Sequence, residues 1–241
     1  MAAAKNRTVR LGGSRVLCSN QERRARTMYQ PPHFREDRIE VQHDLIRSHP
    51  LGLVVTAGPG GLMANSIPFL VDAGTPERGT LRCHLARANP QWRELASVEE
   101  CLIVFQGPQE YVSPSWYATK RETGKVVPTW NYVTVHVWGR PAVIEDAVWL
   151  RRQIDDLTRS RERARPAPWS VHDAPDNYVT AQVQAIVGVE IAIARIEGKW
   201  KVSQNRPEVD RVGVVIGLRE TGEAAEPMAA LVAERGGLTK P

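Results

Sequence analysis

Residues 132–144, YVTVHVWGRPAVI, alternate so cleanly that they admit one conformation. Val133, Val135 and Val137 fall on one side, Tyr132, Thr134, His136 and Trp138 on the other, the two-residue period of a half-buried strand. Further short apolar runs behave the same way. LGLVVTA (51–57), LMANSIPFLVD (62–72), TLRCHLA (80–86) and ECLIVFQG (100–107) read as strands, with GPGG (58–61) and GTPERG (74–79) as turns between the first three. AIVGVEIAIARIEG (185–198) and KWKVS (199–203) are expected to pair as a last hairpin.

Helices are expected over 37–48, briefly after Pro90, over 147–165, up to about Gln184 and over 209–218. The end from Arg219 is expected to fray, with room for a short helix near 227–234. Strands crowd together without β-α-β alternation, which excludes a doubly wound nucleotide fold. The expected class is mainly β with helices (α+β), a closed or half-open antiparallel barrel with helices outside.

The chain has 241 residues and a formal net charge of +5. Residues 1–27 hold seven basic side chains and one acid, so they carry more than the whole excess and leave the rest at −1. The remainder therefore offers no bulk electrostatic case for nucleic acid. Residues 1–27 read as a disordered basic extension, 28–218 as the folded domain and 219–241 as a tail. Met28 is the expected start of the functional chain. No run approaches the roughly 18 apolar residues of a membrane span. Three cysteines without C-x-x-C spacing suit a reducing compartment, so the expectation is a soluble, cytoplasmic protein.

Several chemistries are excluded. GKW (198–200) puts Trp200 where a phosphate loop needs Ser or Thr, GPGG leads into a strand, and no G-x-S-x-G is present. His84, His136 and His172 are too scattered for a metal triad, so no metal is expected. The Arg-rich stretch 147–165 reads as a solvated helix face.

Four segments depart from ordinary surface: HLARANPQW (84–92), FQGPQEYVSPSWY (105–117), VPTWNYVTVHVWG (127–139) and GKWKVSQNRPEVD (198–210). Indoles, amides and guanidinium groups packed this closely are costly to bury without partners. A flat aromatic ligand with a charged tail would satisfy them.

These segments, together with MYQPPHF (28–34), PWSVHDAP (168–175) and IVGVEI (186–191), resemble in order the PaiB-type FMN-binding negative transcriptional regulators. The resemblance runs from Met28 to Leu218. It implies an FMN-binding split β-barrel with peripheral helices, related to pyridoxamine-phosphate oxidases and flavin reductases, acting as a homodimer with FMN between subunits. It places the phosphate near His84, Arg87 and Asn89, although Arg87 could instead be an exposed ion-pair partner. Lys201, Gln204 and Arg206 are implied to reach the flavin or its phosphate, or to tie down a turn. Trp116, Lys120, Trp130 and Asn131 are candidates for the ring edge or the subunit seam, or for packing alone. Trp92 and Trp200 read as core.

Two positions depart from the family: Ser66 stands where an A-N-H-x-P run usually has His, and Cys83 where Gly usually precedes His84. The family implies repression of transcription and, at that level only, DNA as a partner. The barrel type also implies an alternative, an FMN-dependent oxidoreductase or flavin reductase, and a plain FMN carrier is the third reading. No acid or base in the sequence stands out as catalytic.

Overall fold

The computed structural model describes residues 27–74 and 77–238. The basic extension expected over 1–27 lies, apart from Thr27, outside the described residues. Eight strands form one antiparallel sheet: β1 Arg35–Glu36, β2 Leu51–Gly58, β3 Gly61–Pro68, β4 Leu70–Asp72, β5 Thr80–Ala86, β6 Cys101–Val112, β7 Thr129–Ile144 and β8 Ile186–Lys201. Their spatial order is β3-β2-β6-β7-β8-β5-β4, with β1 added on β8. Seven α-helices surround them: α1 Ile39–Ser48, α2 Gln91–Leu95, α3 Lys120–Thr123, α4 Ala147–Glu162, α5 Asp176–Gln184, α6 Glu208–Thr221 and α7 Glu226–Arg235.

The order of the strands closes the sheet. β3 and β4 stand at its two edges, yet only Phe69 separates them in the chain. The sheet must therefore curl until its edges meet at Phe69, which is fully buried and donates its N–H to Pro50 O at 2.9 Å. β4 pairs with β5 as far as Leu70 opposite Arg82. Beyond that point β3 turns away to pair with β2, Ser66 facing Leu53. This is an antiparallel split barrel, and the split opens between β3 and β5.

Inward side chains fill the barrel as the alternation requires. Val133, Val135 and Val137 pack with Ile103, Phe105, Val189, Ile191 and Leu81, all buried. A smaller apolar cluster, Leu150, Val171, Val179 and Val183, fastens α5 to α4. Arg82 bolts α4 to β5: its guanidinium donates to Asp72 at 2.5 Å, Gln153 at 2.9 Å and Asp156 at 3.1 Å.

Four features differ from the sequence reading. Residues 186–201 make one 16-residue strand where a hairpin was expected. Gly198 had suggested the turn, but its role is packing: an added Cβ would lie 2.8 Å from the Trp200 ring and 2.9 Å from Glu36 O. Residues 62–72 form two strands with different partners, because Phe69 is the closure point. β6 runs on to Val112 by absorbing one extra residue between Gln106 and Gln109. The chain beyond Leu218 does not fray: it stays helical to Thr221, and the short helix expected near 227–234 is α7, whose Met228, Ala229 and Val232 join the main core.

Candidate functional site

The polar side of β7 faces outward and makes the floor of a groove. Strand register sets its rows. His136 stands between Val104 and Glu197, Thr134 between Gln106 and Lys199, and Tyr132 between Gln109 and Lys201. Gly107, at the β6 bulge, lines the groove, and a Cβ there would run into core Leu45 at 2.6 Å. The resulting groove measures ≈ 610 Å³, with Tyr29, Gln106, Trp130, Tyr132, His136 and Lys199 among its walls. The amino-terminal segment closes one side: Met28 N–H donates to Glu197 Oε2 at 2.8 Å, and Lys199 Nζ to Tyr29 O at 2.9 Å. Lys199 lies between two aromatic faces, 5.3 Å from the Tyr29 centroid and 5.2 Å from that of Tyr132.

A second hollow of ≈ 450 Å³ shares Val104 and Gln106 with the first and continues to Leu51, Leu53 and Ser66. Together they cross the outer face from the lip of the split to β8. Burial pushes the His136 imidazole pKa down, Lys199 adds to the effect, and Glu197 opposes it. The ring is therefore neutral at pH 7 and holds one donor and one acceptor.

The ten residues singled out from the sequence divide into two places. His84 sits near the end of β5; its Nδ1 is buried without a hydrogen-bond partner, and burial lowers its pKa. Arg87 follows it, with its guanidinium on Glu145 at 2.6 Å, Gln184 O at 3.1 Å and Ile186 O at 3.2 Å. Asn89 accepts from the Gln91 N–H at 3.0 Å and so starts α2. These three are at the start of β8. Lys201 ends that strand, roughly 45 Å of contour away at ~3.3 Å per residue.

Around Lys201 are Trp130, 55% exposed at the groove mouth, and Asn131, buried against Ser203. Gln204 is occupied in its own turn, accepting from Val202 N–H at 2.8 Å and donating to Trp200 O at 2.5 Å. Arg206 lies over the Tyr117 ring at 4.6 Å. Trp116 packs on α6, where Gly213 and Gly217 make room for it. Lys120 is exposed on α3. Trp92 donates its indole N–H to Arg87 O at 3.0 Å, and Trp200 is buried in the barrel.

The groove walls Tyr29, His136 and Lys199 were not singled out as site residues. The signal was present for His136, because the alternation of β7 had already set it on the face opposite the valines. For Tyr29 and Lys199 only the pairing of distant segments brings them together.

Comparison with known proteins gives the family. Residues 28–195 match the family described as "Putative FMN-binding domain". The chain belongs to the PaiB-type FMN-binding family. Its relatives include the "Protease synthase and sporulation protein PAI 2" of Bacillus subtilis, 30% identical over 209 residues, covering 86% of this chain and 98% of that one. An uncharacterized protein of Aspergillus fumigatus is 37% identical over 255 residues, covering 87% and 98% of the two chains. Among solved structures, the FAD and heme binding protein from Mycobacterium smegmatis superposes with a TM-score of 0.52 at 20% identity, over 69% of this chain and 73% of that one. That likeness shows the shared fold.

FMN is the cofactor of this PaiB-type chain, and its residues fit one. The groove offers aromatic faces, the amides of Gln106 and Gln109, and the Lys199 ammonium. At the end of β5, the orphaned His84 nitrogen is a polar group awaiting a partner. No helix among the described residues is long and apolar enough to cross a membrane.

Proposed function

We propose that the chain binds FMN across the outer groove as one half of a homodimer and acts as a negative regulator of transcription. The observation that carries the reading is the groove's continuity from Ser66 at the split to Lys199 on β8. In this reading Trp130, Tyr132 and Lys199 face the ring, and Gln106 and Gln109 supply edge hydrogen bonds. The phosphate lies toward the split, where Ser66, His84, Arg87 and Asn89 stand. Arg87 retains two of its five N–H groups, since three are already donated. Ser66 replaces the usual His with a shorter neutral donor.

Leu51, Leu53, Tyr111 and Trp130 are exposed around the same groove. Apolar surface gathered beside a ligand site favours a second copy as its cover. Trp130 belongs to the groove lining, whereas Trp116, Lys120, Asn131, Lys201, Gln204 and Arg206 lie beyond it, around the end of β8 and on α3.

The regulatory part draws support from kinship with the Bacillus subtilis protein named for protease synthase and sporulation. The arginines of α4 are mostly engaged, Arg151 with Asp176 at 2.9 Å, Arg159 with Asp155, and Arg161 with Arg47 O at 2.9 Å. DNA contact would thus fall elsewhere or to the dimer as a whole. His136 supports a second reading, an FMN-dependent oxidoreductase. A neutral imidazole on the groove floor can give or take a proton beside a bound flavin, which would carry the electrons.

Purified protein mixed anaerobically with NADH or NADPH separates the two. A flavin that stays oxidised, together with a promoter-fragment shift at physiological salt, supports regulation. Rapid bleaching with no shift overturns it in favour of redox chemistry.

A further inference from the structure

Three of the four unusual sequence segments meet in a small cavity at the end of β8. It measures ≈ 140 Å³ and is lined by Phe34, Tyr117, Thr129, Asn131, Lys201 and Arg206, with Ser203 and Asn205. That is room for a phosphate or carboxylate group. Its lining is built. Ser203 is buried with φ +64°, a left-handed conformation that a serine adopts at a cost. Asn131 holds it there, donating to Ser203 Oγ at 3.0 Å while its Oδ1 accepts from the same hydroxyl at 3.2 Å.

The donors in this cavity outnumber its acceptors. Tyr117 is only 2% exposed, and its hydroxyl proton has no acceptor. Arg206 stacks over that ring and has no carboxylate or carbonyl partner among the described residues. Lys201 donates to Thr129 Oγ1 and Trp130 O, which leaves one ammonium proton free. Burial lowers the Lys201 pKa, and the charges of Lys199 and Arg206 push it the same way. Cations held together against mutual repulsion, beside a buried hydroxyl whose oxygen faces Arg206 and whose proton has no acceptor, are complementary to a negative group.

We propose that Tyr117, Lys201 and Arg206 form an oxyanion site that takes a phosphate or carboxylate group. It is separate from the His84–Arg87–Asn89 cluster at the other end of β8, and it stands whether or not the regulatory reading holds. Two sources offer that chemistry: a free or substrate-borne oxyanion, or the flavin's own phosphate, which would then lie at this end of β8 instead of at the split.

The test is calorimetric titration of inorganic phosphate into flavin-free full-length chain, with ionic strength held by chloride. Saturable binding is expected. Arg206→Gln and Tyr117→Phe should each weaken it about tenfold or more, the scale of one charge-assisted hydrogen bond. Arg140→Gln, an exposed cation outside the cavity, should leave it unchanged. Phosphate binding no better than chloride, or equal affinity in Arg206→Gln, overturns the proposal. Arg206 is half-buried, so this variant decides the matter even if Tyr117→Phe fails to fold.

Repeating the titration with FMN-loaded and riboflavin-loaded protein identifies the source. Phosphate excluded by FMN but admitted beside riboflavin marks the flavin's phosphate as occupant. Phosphate admitted beside both marks a second ligand. Either result supports the site, and the flavin-free titration is independent of how flavin binds.

Discussion

At the scale of single residues, Arg87 shows how one guanidinium can serve fold and ligand together. Its ion pair with Glu145 is partly exposed and contributes no more than about 1 kcal/mol. If its two remaining N–H groups hold the FMN phosphate, Arg87→Ala should weaken FMN binding by about 2 kcal/mol, measured by flavin fluorescence titration. Glu145→Gln should leave affinity nearly unchanged. Equal losses in the two variants would mean that Arg87 acts only by anchoring β8.

Titration gives a second residue-scale expectation. Burial depresses the pKa values of His43, His84 and His136 below 6.5. Their unfolded forms take up protons first, so stability is full above pH 6.5 and falls as pH drops toward their folded values. Glu36 behaves as a depressed carboxylate. Arg38 chiefly, with Arg235, holds it at about 2 against an ordinary 4.5. Its contribution is complete above pH 4.5 and is lost on approach to pH 2. Urea midpoints should therefore decline in two stages on acidification. Glu36→Gln should remove the lower stage alone.

At the scale of elements, α6 meets the rest of the protein through a notch. A Cβ at Gly213 would enter the Trp116 backbone, and one at Gly217 would enter its indole ring. Gly217→Ala should cost about 1–3 kcal/mol by overpacking, measured by chemical unfolding. Trp116→Ala in the same chain should recover part of that loss, because the clash disappears with the ring.

Such contacts also explain what the sequence could and could not disclose. The alternation of β7 survives intact in the structure, since a strand buried on one face must repeat every two residues. Gly198 misled because a glycine is blank in sequence: it can turn a chain or admit a neighbour, and here it admits Trp200 and the chain at Glu36. The stretch beyond Arg219 was expected to fray, yet Met228 and Val232 of α7 are buried in the main core with residues of β6, β7 and β8, contacts that no local pattern announces. The candidate site was legible only as a set of motifs. Their division between the two ends of β8 was not, because strand length and register, rather than composition, decide it.

At the scale of the whole molecule, the exposed aliphatic and aromatic residues beside the groove call for a cover. The chain should elute near twice 26.9 kDa and hold one FMN per subunit. Trp130→Glu, a charge placed on that rim, should shift the protein toward monomer and release flavin together with it. A monomer that retains its yellow colour would show that one barrel suffices.

Phe69 is the clasp of this molecule. With the hoop fastened at a single link, the slot beside it can widen only like a clothes-peg, from its free end. An extra glycine spliced next to that link would slacken the spring and change how wide the jaws rest, while every side chain along them kept its identity.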